Sequence, residues 1–185
     1  MKAVFLDRDG TLIRGYNGRP ANTVEEVSLL PGVLEGVSAL KAAGFQLVVV
    51  TNQGGIGLGF TTTATVMAQH RKIDELLVAG DSTSLDAYYF CGHHPKAGCS
   101  CRKPEPGMIN QACCDIGIDV SASFLIGDSD TDIMAGKAAG TFANVLTISD
   151  RFGQNESKDS GADLVANNFY EAAKNVVAMD LRKTA

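Results

Sequence analysis

Apolar residues in this chain fall into short blocks of two different periods, and the two kinds of block alternate. Ala3 to Leu6, Phe45 to Val50, Ala87 to Phe90, Ser123 to Gly127 and Phe142 to Ile148 are short, mostly apolar runs, each followed by polar residues or glycine. Continuous runs of this length predict strands buried on both faces, as in a parallel sheet. Between them, Val33, Val37 and Leu40, then Val66, Ile73 and Leu77, then Met108, Ile109, Ala112 and Ile116 recur at helical intervals. They predict helices opening at Pro31-Gly32, over 62–79 and over 105–116, with Gly44 and Gly80 as stops. A fourth helix is expected over 131–139, and Phe169, Ala172, Ala173 and Val176 give a closing one. Residues 12–30, with Gly15, Gly18 and Pro20, read as a polar connection, a loop over the top of the sheet. The stretch 149–163 reads as a mobile polar loop, and Ala162 to Val165 as a short edge strand. Alternation of this kind predicts one α/β domain over 1–185, a doubly wound and mostly parallel sheet.

Composition narrows the function classes more than the fold. A net charge of -5 argues against broad nucleic-acid or acidic-membrane binding, because both need a basic surface. No apolar run is long enough for a membrane span, and Met1-Lys2 with four apolar residues is too short for a secretory signal. Cytoplasm is the expected compartment. Three of the five cysteines lie between residues 91 and 101, which suits metal ligation under reducing conditions better than a disulfide framework. Cys91, His93, Cys99 and Cys101 would make a closed tetrahedral set for a structural Zn²⁺, leaving no position for substrate. His93 is preferred to His94 because one residue then separates the members of each ligand pair. Cys113 is in phase with Ile109 and Ile116, so it and Cys114 are expected in or near the core, and His70 among polar residues is expected to be solvated.

The candidate chemistry begins where the first strand ends. Asp7-Arg8-Asp9-Gly10-Thr11 places two carboxylates two residues apart at the carboxyl end of that strand, the edge where open α/β sheets bind ligands. Such a pair suits a divalent cation and general acid work, because neighbouring carboxylates do not ionise comfortably together. Thr51 ends the second strand, Lys103 follows the third and Asp128 ends the fourth. Four strand ends thus converge on one rim with a nucleophile, a hydroxyl donor, a fixed cation and a metal ligand, the parts phosphoryl transfer needs. A phospho-receiver domain shares some of these parts but has no use for a general acid two residues after the acceptor. A zinc-dependent nucleic-acid module would need a basic face that the charge balance opposes.

Asp7-Arg8-Asp9-Gly10-Thr11, Thr51-Asn52, Lys103, and Gly127-Asp128 with Asp132 together resemble the motifs of the haloacid dehalogenase superfamily phosphatases, in order and spacing. The resemblance implies that Asp7 is a nucleophile forming an aspartyl-phosphate and that Asp9 is the general acid and base. It also implies that Asp7, the Asp9 carbonyl and Asp128 hold Mg²⁺. No cap domain is expected, so specificity falls to the loops around 14–20 and 54–60 and to the zinc loop 91–101. That loop beside Arg102-Lys103-Pro104 resembles a smaller group containing the heptose-1,7-bisphosphate 7-phosphatases and the histidinol-phosphate phosphatases. Thr51-Asn52-Gln53 followed by Gly-Ile, and the stretch Arg102 to Met108, resemble the heptose enzymes. The short His93 to Cys99 spacing and Thr11-Leu12-Ile13 resemble the histidinol-phosphate enzymes. Gly54 stands where a serine is usual in the heptose enzymes. The expected substrate is a sugar phosphate, bound by Tyr16, Asn52, Gln53 and Arg102, with Arg14 and Arg19 adding positive charge from the opposite side. A monomer is compatible with this reading.

Overall fold

Six parallel strands make the sheet of the computed structural model, which describes residues 1–15, 19–148 and 161–183. In chain order the elements are β1 (Ala3–Leu6), α1 (Val33–Ala42), β2 (Gln46–Asn52), α2 (Thr63–Ala79), β3 (Ala87–Cys91), α3 (Gly107–Ile116), β4 (Phe124–Gly127), α4 (Asp130–Ala139), β5 (Ala143–Thr147), β6 (Leu164–Ala166) and α5 (Phe169–Lys183). A single 3₁₀ turn, Val120–Ala122, precedes β4. The strand order is β3-β2-β1-β4-β5-β6, so the chain winds outward from β1 in one direction and then restarts at β4 in the other. The crevice between the ends of β1 and β4 is therefore the topological switch point, where such sheets bind ligands.

Alternation along each strand divides the core into two layers. Val4, Leu6, Leu47, Val49, Phe124, Ile126 and Val145 face a layer closed by Val33, Val37 and Leu40 of α1, Ile73 and Leu77 of α2, and Phe169, Ala172, Ala173 and Val176 of α5. Ala3, Phe5, Val48, Val50 and Leu125 face the other layer, closed by Met108, Ile109 and Ala112 of α3 and Ile133 and Ala135 of α4. Helices on both faces explain why the strands read as continuous apolar runs. Glycines with positive φ follow α1, α3 and α4 at Gly44, Gly117 and Gly140, a conformation that ends a helix at little steric cost.

The expected elements are all present, with ends moved by one or two residues. Phe142 and Ile148 fall outside β5 and are exposed, and the edge strand is Leu164–Ala166 rather than Ala162 to Val165. Most of the polar loop expected over 149–163 lies outside the described residues, as does Tyr16. Residues 12–30 do form a connection, but not an entirely polar one: Leu12 and Ile13 are buried, and Ile13 bridges to Asp9 and Leu29. No cap domain interrupts the described residues.

Candidate active site

The sheet places the residues that end or directly follow β1, β2 and β4 side by side. Asp7 directly follows β1, and its backbone N–H continues the ladder by donating to the Ile126 carbonyl of β4 at 3.0 Å. Gly10, at φ 90°, then turns the chain back, a conformation that a residue with a Cβ rarely adopts. Asp7, Asp9, Thr51, Asn52, Lys103, Ser129, Thr131 and Asp132 line one narrow cleft. Of these, Asp7, Asp9, Thr51, Lys103 and Asp132 are nearly fully buried.

Lys103 Nζ lies 2.6 Å from Asp7 Oδ1 and 2.5 Å from Asp132 Oδ1, and donates to the Val50 carbonyl at 2.7 Å. Burial opposes the ammonium charge, but the two carboxylates outweigh it and hold the Lys103 pKa above its ordinary value. Burial also pushes the Asp132 carboxyl above the usual range, with Asp7 adding repulsion and Lys103 opposing both. Asn52 pins the lysine from behind: its Nδ2 donates to the Lys103 carbonyl and its Oδ1 accepts from the Lys103 N–H, both at 3.0 Å. Ser129 and Asp132 form a capping box at the start of α4, which aims the positive end of that helix into the cleft. Gly127 has no alternative here, since a Cβ would sit 2.4 Å from the Asp132 Cβ.

Carboxylate oxygens of Asp7, Asp128 and Asp132 lie within 4.8 Å of one another, an all-oxygen set suited to a hard divalent cation. Asp9 is turned elsewhere. Its Oδ2 accepts from Arg8 Nε at 3.0 Å and from Gln53 Nε2 at 2.8 Å, and its Oδ1 accepts from Arg8 Nη2 at 3.1 Å. Gln53 Nε2 also donates to Thr51 Oγ1 at 2.9 Å, which occupies a lone pair and leaves the hydroxyl proton for an anion in the cleft.

The cleft opens into a cavity of about 1170 Å³, whose lining includes Arg19, Asn22, Gln53, Phe60, Arg102 and Thr131. Arg102 Nη1 is buried there without a hydrogen-bond partner. Asn52 and Gln53 line this cavity, but their amides are engaged within the protein. Arg19 lines it too, with its guanidinium in a 2.7 Å ion pair to Glu26. Arg14 does not: it lines a separate cavity of about 440 Å³ with Thr11, Thr147 and Asn167. A side chain at Gly54 would begin 3.1 Å from both Arg102 Nη1 and Pro95 Cγ, so the glycine leaves the guanidinium its room.

The cysteine loop forms the cavity's far rim. Cys91, His93, Cys99 and Cys101 converge, with Cys91 Sγ 3.5 Å from His93 Nδ1 and from Cys99 Sγ, Cys101 Sγ 3.2 Å from His93 Nδ1, and 3.5 Å between the sulfurs of Cys99 and Cys101. These edges approach the about 3.5–3.8 Å that a zinc tetrahedron with its usual bond lengths implies. His94 stays outside the set and accepts from the Lys96 N–H. Cys113 packs against the second core layer and Cys114 is exposed.

Two residues differ in surroundings from what their sequence neighbours imply. His70 is buried, not solvated, with its ring stacked on Tyr88 at 4.4 Å and edge-on to Phe90 at 5.8 Å. Burial, helped by the charge of Arg8, pushes its pKa down to about 3. Arg8 is fully buried and sits at the centre of a polar network that no single motif shows. The signal available for it was the alternation Val4, Leu6, Arg8, which places all three on one face of the strand.

Comparison with known proteins agrees with this geometry. A family model described as HAD-hydrolase-like matches residues 100–172. The chain is 36% identical over 185 residues to the D-glycero-beta-D-manno-heptose-1,7-bisphosphate 7-phosphatase of Yersinia pestis, covering 95% of each chain. The enzyme of that name from Escherichia coli K12 is 39% identical over 153 residues, covering 78% of each. The crystal structure of D,D-heptose 1.7-bisphosphate phosphatase from B. bronchiseptica, complexed with magnesium and phosphate, superposes with a TM-score of 0.85 at 29% identity. It covers 97% of this chain and 99% of that one. Similarity of this extent to named phosphatases, on a fold that carries the expected residues to one rim, places the chain in the haloacid dehalogenase-like hydrolases, as a phosphatase.

Proposed function

We propose that the chain hydrolyses a phosphomonoester through an aspartyl-phosphate on Asp7, with Mg²⁺, and that its substrate is D-glycero-D-manno-heptose 1,7-bisphosphate, from which it removes the 7-phosphate. In the first step a carboxylate oxygen of Asp7 bonds to phosphorus as the ester P–O bond breaks. The leaving sugar oxygen is strongly basic and takes a proton from Asp9, an assistance typically worth about 100- to 10,000-fold. Water then attacks phosphorus, gives its proton to Asp9, and releases inorganic phosphate as the bond to Asp7 breaks. When bound by Asp7, Asp128 and Asp132, with the Asp9 carbonyl, Mg²⁺ supplies positive charge that offsets repulsion between the nucleophile and the phosphate. Lys103 holds a fixed charge beside the Asp7 oxygen, Thr51 donates its hydroxyl, and the α4 N-terminus faces the phosphoryl group. The magnesium and phosphate in the B. bronchiseptica structure support this reading.

Substrate identity rests on one observation: Arg102 Nη1 is buried, without a partner, in the wall of the cavity that Lys103 also lines. A guanidinium so placed suits a second phosphate, and the names of the relatives agree. Zn²⁺ on Cys91, His93, Cys99 and Cys101 holds the rim, and three thiolate ligands suit a reducing cytoplasm. No helix among the described residues is long and apolar enough to cross a membrane. Comparing kcat/KM for the bisphosphate and for histidinol phosphate tests the substrate. Arg102→Ala should lower the value for the bisphosphate by about tenfold or more, the worth of one charge-assisted hydrogen bond. A higher value for histidinol phosphate, or no effect of Arg102→Ala, would refute it.

A further inference from the structure

We infer that Arg8 and Gln69 are positioning residues for Asp9, and that they tie its carboxylate to the loop walling the substrate cavity. This rests on Asp9 being the proton-transferring group.

Arg8 has no exposed surface, and each nitrogen of its guanidinium is engaged. Nε and Nη2 grip both oxygens of Asp9, at 3.0 and 3.1 Å. Nη2 also donates to Gln53 Oε1 at 3.0 Å, and Gln53 returns a bond to Asp9 Oδ2 at 2.8 Å, closing a triangle. Nη1 donates to Gln69 Oε1 at 2.9 Å. Gln69, buried on α2, in turn donates through Nε2 to the carbonyls of Ala21 and Thr23, at 2.9 and 3.1 Å. Those carbonyls flank Asn22, which lines the cavity with Arg19 and Pro20. On the other side, the Gln53 N–H donates to the Cys91 carbonyl at 2.8 Å, next to the cysteine loop.

Asp9 is therefore held by three donors that reach outward to both rims of the cavity. The fork of Arg8 fixes the plane of the carboxylate, which decides whether an oxygen faces the departing alcohol. Proton delivery falls off steeply when donor and acceptor leave hydrogen-bonding reach, so orientation at Asp9 translates directly into rate on substrates with basic leaving groups. A shift of residues 21–23 on contact with substrate reaches Asp9 through three hydrogen bonds in series, from the loop to Gln69, from Gln69 to Arg8 and from Arg8 to Asp9.

Leaving-group dependence separates this role from a merely structural one. Phenyl phosphate and p-nitrophenyl phosphate have nearly the same shape, but phenoxide is a far stronger base than p-nitrophenoxide and needs the proton more. The variants are Arg8→Lys, which keeps the charge and loses the fork, and Gln69→Met, which keeps the length and loses the loop link. Thermal melts confirm folding, and Gln69→Met serves if Arg8→Lys does not fold. In both variants kcat/KM for phenyl phosphate should fall about tenfold or more beyond any fall for p-nitrophenyl phosphate. Asp9→Asn, measured alongside, should show the same selective loss. A selective loss in Asp9→Asn with equal losses on both substrates in the Arg8 and Gln69 variants would overturn the positioning role alone. No selectivity in Asp9→Asn would overturn the assignment of Asp9 and this inference with it.

Discussion

His70 shows how far a residue's chemistry is set by what packs on it. In the unfolded chain its imidazole titrates near 6.5, whereas in the folded protein it does so at about 3. Between these values only the unfolded chain binds the proton, so this residue's contribution to stability is complete above 6.5 and is lost as pH falls toward 3. Its slope reaches at most about 1.4 kcal/mol per pH unit. Substituting His70→Phe keeps a ring on Tyr88 and removes the titration, so the variant's Tm should fall less between about pH 6 and about pH 4 than that of the wild type. Parallel Tm curves for the two proteins would contradict this. Neither His70 nor Arg8 was legible as a buried residue from its immediate neighbours, which are polar or charged in both cases. Their environment is made by residues far along the chain, since Arg8 meets Gln53 across 45 positions and Gln69 across 61. Asp7 and Asp128 were legible, because each directly follows an apolar run whose direction is fixed by the fold, whereas Lys103 lies beyond the cysteine loop that follows β3 and was legible from the motif it completes.

At the scale of elements, the cysteine loop and the glycine loop after β2 behave as one rim. Gly57 packs so closely on the cysteine loop that a Cβ there would lie 2.2 Å from the His94 nitrogen. Ile56 fills the space beside Gly92, where a Cβ would meet its Cδ1 at 3.1 Å. If zinc holds the cysteine loop as proposed, its loss should loosen both, because the glycine loop packs against it. Cys99→Ser should lower unfolding stability by roughly 4 kcal/mol or more, as metal-site losses do. About one zinc per chain should copurify with the wild type, and elemental analysis finding none in reduced protein would contradict the site. Brief EDTA treatment that leaves zinc in place should abolish turnover, and Mg²⁺ alone should restore it. Strands and helices were legible because their periods differ and glycines mark several of the boundaries. The boundary errors have a physical cause: Phe142 and Ile148 are apolar but exposed, so they lengthened the expected fifth strand.

For the whole molecule, the strand order explains why a chain of net charge -5 can bind an anion. Positive elements are gathered at the switch point: Lys103, the α4 N-terminus and, at the cavity wall, Arg102. The surface at large need not be basic for that. Convergence of β1, β2 and β4 on one crevice was readable from the alternation of elements, since a parallel sheet aligns all its carboxyl ends. The polar network around Asp9 was not, because it depends on how α2 lies over the 21–23 loop, and no local period encodes that packing.

The most direct test of the account is whether phosphate passes through Asp7. Wild-type enzyme quenched with acid during turnover should carry a phosphoryl group on the peptide containing Asp7, detected by mass spectrometry. Asp7→Asn should keep the fold by circular dichroism, carry no phosphoryl group, and lose at least about a thousandfold in kcat, as loss of a covalent nucleophile does. Turnover by Asp7→Asn near the wild-type rate, or a phosphoryl group trapped on another residue, would contradict the central claim.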